Sequence, residues 1–416
     1  MRRKPTVKQS LGIALATFLM LANYSPQMQA VRDLPDTMQM RTGEVHALSI
    51  GWPFSLSTAD EDMYVLASSA ESVGVISDRE GVKSLKVSAF GIPVRNVSIS
   101  VAPEYVLYPG GQSIGAALNT KGVLVVGTSD LSEKNPAKEA GIKEGDMILS
   151  VNGQEIQGAT HLTEVVAKSP EGALKVLYSR EGRERTCSLT PVKDKVDGRM
   201  RLGLWVRDST AGVGTLSFFD PQTQYYGALG HAISDVDTGI TLPVKEGNVL
   251  RSTVVGIRKG EKGNPGELQG SFLRDQQVLG DIRLNNSLGI FGKIDAPMVN
   301  PLYPDGLPIA SQAKVRIGPA TILTTLDGEG VKEYQVEIVR VARQASAAQK
   351  SMTLKVTDPT LLERTGGIVQ GMSGSPILQD GRIVGAVTHV FVNDPTQGYG
   401  VFIEWMLEQT QQSKAA

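Results

Sequence analysis

The chain has 416 residues, enough at roughly 100–200 residues per domain for two to four domains. Lys plus Arg total 42 against 43 Asp plus Glu, a formal net charge of -1, so no cationic excess favours binding along a phosphate backbone. Cys187 is the only cysteine, which excludes an intramolecular disulfide framework, a cysteine-rich zinc site and a CxxC redox centre. Aromatic residues make up 5%, while 45 Gly and 21 Pro favour short strands and tight turns over helical bundles.

The near-neutral balance hides an asymmetry. Residues 1–30 carry Arg2, Arg3, Lys4 and Lys8 and no acid, which leaves the rest of the chain at -5. Those cations precede the 12-residue apolar run 11–22, LGIALATFLMLA, the layout of a secretory signal. Twelve helical residues reach about 18 Å, short of the ~30 Å hydrocarbon core. Met28-Gln29-Ala30 lacks the small residue that cleavage wants two positions before Ala30, so residues 1–30 read as a signal peptide or an uncleaved anchor. Either way the protein is expected to be exported across the cytoplasmic membrane, anchored by its N-terminus or released.

Residues 31–104 alternate polar and apolar side chains between Gly, Pro and Asp, as in Val94-Arg95-Asn96-Val97-Ser98-Ile99-Ser100-Val101. Period two with regular turn signals predicts a small β-domain. Its lone His46 reads as structural.

Residues 105–192 open on the Gly-rich Tyr105–Gly115, run through the apolar Gly122-Val123-Leu124-Val125-Val126, and reach Asn135-Pro136-Ala137-Lys138-Glu139-Ala140-Gly141. Pro136 can start a one-turn helix and Gly141 can end it. Gly145-Asp146 and Asn152-Gly153 then bracket a strand, Asn-Gly being a strong hairpin signal. The pattern PAxxAGxxxGDxIxxVNG closely resembles a bacterial PDZ domain, which binds an extended peptide as an added strand. Gly111, Ser113, Ile114 and Gly115 are its expected peptide-binding residues, since a Gly-rich loop can offer backbone N–H groups to a carboxylate. His161 falls on the following helix with no partner at metal-ligand spacing.

From residue 195 to 416 short strands recur between turns, with helical periodicity only near 404–412. An all-β barrel or paired barrels with a terminal helix is the expected architecture. Within it lies Thr365–Pro376, TGGIVQGMSGSP. Its Gly-x-Ser-Gly-x-Pro turn is similar to the nucleophile turn of chymotrypsin-like proteases. Such a turn exposes Ser373 while the N–H groups of Gly371 and Ser373 converge on a developing oxyanion. An α/β-hydrolase elbow fits worse, because Ser375 stands where that elbow needs glycine. Ser375 is the rival nucleophile.

A serine nucleophile needs a base, and there are four histidines. His231, in Gly230-His231-Ala232-Ile233-Ser234-Asp235, precedes Ser373 as the order of a double barrel requires. His389 follows it on a strand and is expected to face the core or line the cleft. For the acid, Asp220, Asp235 and Asp237 lie near His231 in sequence. Asp358, before Pro359, reads as a helix N-cap.

Taken together, the leader, the β-segment, PGGQSIG with GVLVVG, GALGHAISD and TGGIVQGMSGSPILQDGRIVGAVTHVFVNDP resemble the SpoIVB peptidase family of endospore-forming bacteria over nearly the whole chain. The resemblance implies a mainly β protein: an N-terminal β-domain, a PDZ domain and a divergent chymotrypsin-like double barrel. It implies a Ser-His-Asp endopeptidase with Ser373 as nucleophile, His231 as base and Asp358 as acid. No metal or organic cofactor is then needed. Such enzymes cleave themselves near the N-terminus, and then cut a regulatory subunit of a membrane metalloprotease complex between the two membranes around the forespore. That cut triggers a late sporulation sigma factor. Two other readings are a catalytically silent PDZ scaffold and an HtrA-like quality-control protease. In the latter the PDZ usually follows the protease, whereas here it precedes it.

Overall fold

Strands with one apolar face need a partner layer, and this chain supplies it in two separate units, Met1–Tyr105 and Val106–Ala416. The computed structural model describes residues 24–414 except 44, 68–71, 132–133, 170–171, 196, 273–277 and 296–297, with scattered positions before 24. The apolar run 11–22 thus lies largely outside the described residues. Among the described residues no helix is long and apolar enough to cross a membrane.

The first unit opens with helix α1 (Pro26–Asp33), capped by Ser25, whose hydroxyl accepts from the Met28 N–H at 3.2 Å. The weak cleavage motif therefore sits inside a helix. Strands β1 (Thr37–Arg41), β2 (Phe54–Thr58), β3 (Gly81–Ala89) and β4 (Ile92–Ala102) form a sheet in the order β1-β4-β3-β2. Strands 46–48, 63–67 and 73–77 form a second sheet. Val87, Val97, Ile99 and Val101 alternate inward to a core that includes Met40, Ile50 and Met63.

The second unit is built around two 16-residue strands, β5 (Ser113–Thr128) and a long partner, β9 (Leu204–Phe219). They pair antiparallel from Ser113↔Thr215 to Thr128↔Leu204, with bulges near Trp205 and Arg207–Ser209. Between them come α2 (Pro136–Glu139), β6 (Met147–Val151), α3 (Ala159–Lys168), β7 (Leu174–Arg180) and β8 (Arg183–Leu189). Ile148, Val151, Leu162, Val166 and Val176 fill that module's core with Val123 and Val125 of β5. Asp146 of the Gly-Asp signature is fully buried, and the Arg180 guanidinium grips it with bonds of 2.6 Å to both oxygens. The motif's acid is thus a structural ion pair.

The N-terminal half of β5 leaves that module. Residues 114–119 pair on one side with β9 and on the other with β11 (Val244–Arg251), and β9 continues to β10 (Tyr225–Ala228) and β12 (Gly289–Lys293). The module of residues 122–207 is therefore an excursion between two paired strands of the peptidase-side sheet. A six-stranded closed barrel follows, β13 (Gly318–Thr325), β14 (Val331–Val341), β15 (Met352–Val356), β18 (Asp394–Phe402), β17 (Arg382–Phe391) and β16 (Pro376–Gln379) in spatial order. Its core includes Ile322, Ile338, Leu354, Ile377 and Phe402. Helix α4 (Pro359–Thr365) leads into the Ser373 turn, and α5 (Ile403–Ser413) ends the fold. Among the described residues only this second barrel closes on itself; the first sheet opens into the inserted module.

Candidate active site

The Ser373 turn is held by backbone bonds at every corner. The Leu268 N–H donates to the Gln370 carbonyl at 2.8 Å, and the Ser375 N–H donates to the Met372 carbonyl at 3.0 Å. In a trans peptide the carbonyl and the following N–H point opposite ways. The N–H groups of Gly371 and Ser373 therefore face away from those engaged carbonyls, and neither has a partner among the described residues. Thr215 of β9 completes the clamp: its hydroxyl donates to the Gly371 carbonyl at 2.7 Å and its N–H to the Ser373 carbonyl at 3.0 Å. Two glycines make the turn possible. Gly371 has φ +95° and Gly374 has φ +98°, and a Cβ on Gly374 would stand 2.0 Å from the Thr215 carbonyl oxygen.

His231 arrives from the other sheet. After β10 the chain takes Leu229 and Gly230 through positive φ, each at +69°, which turns the imidazole into the cleft. The next loop is clamped by Asn285, which accepts from the Ile233 N–H at 2.8 Å and donates to the carbonyls of Ile233 and Leu242. His231 Nδ1 lies 2.8 Å from the Ala232 carbonyl oxygen. A carbonyl oxygen only accepts, so Nδ1 carries the proton and Nε2 presents its lone pair. Desolvation holds the His231 pKa below its ordinary value, partly offset by that carbonyl.

Ser373, His231, Gly371, Thr388 and His389 line one cleft of about 690 Å³. Val213, Val369, Val390 and Val392 supply its apolar wall. The Ser373 hydroxyl donates to the Thr388 carbonyl at 2.8 Å. The His389 ring centroid is 5.0 Å from that of His231. Desolvation first, then the charges of His231 and Lys350, pull the His389 pKa down to about 4. Ser375 is fully buried and does not line the cleft.

Asp358 is not brought to the histidines. It caps α4, with Oδ1 accepting from the Leu361 N–H at 2.9 Å and Oδ2 from the Gln335 N–H at 3.2 Å. The acids nearer in sequence are engaged elsewhere. Asp235 is bound by Arg207, the Asp237 and Thr238 N–H groups and the Thr238 hydroxyl. Arg207 also holds Asp237 at 2.8 Å, and Asp220 accepts from Gln222 and Thr223. The group that orients His231 is thus a backbone carbonyl, which a search for carboxylates cannot find.

The expected peptide loop also lies elsewhere. Gly110 and Gly111 donate their N–H groups to the Ser217 and Leu216 carbonyls at 3.0 and 2.8 Å. Ser113 and Ile114 are buried within the β5–β9 ladder, and Gly115 pairs with both Val213 and Leu250. No free strand edge remains at these four residues. An open groove of about 490 Å³ instead runs between α3 and the N-terminal end of β9, lined by Leu162, Val166, Leu202, Gly203, Leu204 and Trp205 among others. Its sequence signal is Arg201-Leu202-Gly203-Leu204, a glycine between apolar residues just before a strand. His161 on α3 is held by the Gln157 N–H and Gln154.

The family model for SpoIVB peptidase S55 matches residues 198–407, half of the chain and every residue of this cleft but Ala116. The chain belongs to the SpoIVB peptidase S55 family. A PDZ model matches residues 110–190, so within a mainly β fold a PDZ domain precedes the peptidase-family region, in the order read from the motifs. Among curated relatives it is similar to the probable protease eep of Enterococcus faecalis, 38% identical over 79 residues, which are 18% of this chain and 19% of the relative. The regulator of sigma-W protease RasP of Bacillus subtilis is 31% identical over 87 residues, 21% of each chain. The chain thus spans about a fifth of the length of these relatives. A solved HtrA-type protease, AlgW with tripeptide, overlaps 49% of this chain and 56% of its own at 14% identity and a TM-score of 0.29.

Proposed function

We propose that this family member is an exported serine endopeptidase that cleaves itself near its N-terminus and then a regulatory membrane protein. Ser373 acts as nucleophile and His231 as base. One observation carries the reading: two unpartnered N–H groups, on Gly371 and Ser373, frame a nucleophile that shares a cleft with a histidine whose Nε2 is free to accept. Rotation of the Ser373 side chain off the Thr388 carbonyl brings Oγ toward Nε2. His231 takes its proton as Oγ attacks the scissile carbonyl, and the two N–H groups bind the oxyanion. The imidazolium then gives the proton to the leaving amine, and water repeats the sequence on the acyl-enzyme. The Ala232 carbonyl fixes the tautomer throughout.

The finer role we propose from the family resemblance is a substrate in the regulatory subunit of a membrane metalloprotease, in the space between the forespore membranes, with activation of a late sigma factor as outcome. The PDZ module offers the α3–β9 groove for an extended segment of that substrate or of the chain's own N-terminus. Ser373→Ala and His231→Ala should each abolish self-cleavage while circular dichroism stays native. N-terminal sequencing of products from active and Ser373→Ala protein reads the result, and processing by purified Ser373→Ala protein overturns the assignment. The silent-scaffold reading predicts no labelling of Ser373 by a generic serine-protease inactivator.

A further inference from the structure

The first unit carries an apolar tip that its own core does not use. Trp52, Phe90 and Ile92 are 79%, 73% and 69% exposed, and Val94 continues the same strand face at 51%. The tip is organised: the Phe90 N–H donates to the Pro53 carbonyl at 3.2 Å, and the Trp52 and Phe90 rings meet edge to face at 5.7 Å. Phe90-Gly91 forms the two-residue turn between β3 and β4 with φ of +51° and +82°. Asn-Gly suits such a turn, whereas a bulky residue at positive φ is strained. Folding therefore gains little from phenylalanine here beyond the edge contact with Trp52. It costs backbone strain and leaves an aromatic ring in water.

We infer that this tip seats in the interfacial zone of a lipid bilayer. The chemistry is that of membrane-interface anchors, tryptophan and phenylalanine beside aliphatic side chains on a polar strand framework. The charge agrees: in 50–58 and 85–97 the charged residues are Lys86 and Arg95, with no acid. Arg95 is tied to Asp36 at 2.8 Å and to the carbonyls of Val31 and Arg32, which leaves the exposed Lys86 to face anionic headgroups. Position in the chain agrees as well. The unit follows directly on the basic, apolar segment 1–22, so a bilayer that holds that segment lies within reach of the tip. Nothing in this depends on the catalytic assignment. The first unit becomes a second, reversible foothold that fixes its own orientation at the surface.

The test uses the full chain with Ser373→Ala, so that it stays whole, on vesicles of phosphatidylcholine and phosphatidylglycerol whose acyl chains are brominated. Bromine quenches tryptophan only at acyl-chain depth. The lipid should quench the emission, and Trp52→Phe should remove more than half of that quenching, which separates Trp52 from Trp205 and Trp405. Phe90→Asn with Ile92→Ser should also halve it. Asparagine accepts the turn's φ, so this variant should melt no lower than the parent. Equal quenching with and without Trp52, or quenching unchanged in the Phe90/Ile92 variant, overturns the inference. So does Trp52 that stays open to aqueous acrylamide on vesicles holding the chain, since the tip then faces a protein instead.

Discussion

Asp358 is the residue on which the family's implied triad and the geometry part. As a cap, its two oxygens serve the Leu361 and Gln335 N–H groups; as the acid of a triad, its charge would be needed beside His231. Asparagine separates the two roles, because its one carbonyl oxygen keeps the cap on Leu361, giving up only the longer bond from Gln335, and it carries no charge. Asp358→Asn should keep activity within about threefold, and Asp358→Ala should cost roughly 1 kcal/mol of stability, read by urea unfolding. A loss near 10⁴-fold in Asp358→Asn, the scale seen when a true triad acid is neutralised, would make Asp358 the acid. His389 gives a second residue-level test. His231 must be neutral to act as base, and its lowered pKa carries activity below the ordinary 6.5 before the acid limb is reached. His389, with a pKa of about 4, stays neutral there. His389→Lys would set a permanent cation near the imidazole, where an imidazolium must form. The acid limb of kcat/KM should move about one unit lower and the plateau fall roughly tenfold, as a unit charge near 5 Å at intermediate dielectric requires. His389→Gln should do much less; its loss of activity would move the base to His389.

At the scale of elements, the sequence showed turns more plainly than partners. The Ser373 turn was legible because only a few residue types fit it. The Gly-rich 110–115 segment misled for a related reason: glycine serves ligand loops and close strand approach alike. Here approach wins, since a Cβ on Gly110 would stand 2.1 Å from the Leu216 carbonyl oxygen, and one on Gly115 would stand 2.7 Å from the Phe272 ring. Nor did the apolar alternation reveal that β5 and β9 are each continuous across two modules, because periodicity reports a strand's faces and not its neighbours. That continuity gives β9 two roles, groove edge at Leu204–Val206 and clamp of the nucleophile turn at Thr215. Thr215→Val keeps the shape and removes the hydroxyl that holds the Gly371 carbonyl. The 371–372 peptide, which links the two donor residues, then loses its fixed direction, and kcat should fall by about 10- to 100-fold with KM nearly unchanged, on the order of one weakened oxyanion donor. An equal change in KM alone would mean that Thr215 serves substrate binding.

At the scale of the molecule, the two units predict how the chain comes apart. The first unit has its own core around Val87, Val97 and Ile99, whereas the PDZ module and the peptidase share two unbroken strands. A strand cannot lose its order in one half and keep its ladder intact at the junction without exposing backbone groups that both halves bury. The PDZ module should therefore melt with the peptidase and apart from the first unit. Asp146 makes the test sharp, since it is fully buried within the PDZ module and does not line the catalytic cleft. Asp146→Ala leaves Arg180 without its partner, a change that typically costs about 3–5 kcal/mol. In calorimetry the transition that coincides with loss of peptidase activity should move down by several degrees, while Val97→Ala should move a different one. Were Asp146→Ala to leave the activity-linked transition in place, the shared strands would not transmit stability and the PDZ would be an independent attachment. The expected coupling gives the insertion a physical rationale: whatever stiffens the groove end of β9 also stiffens the strand from which Thr215 clamps the nucleophile turn.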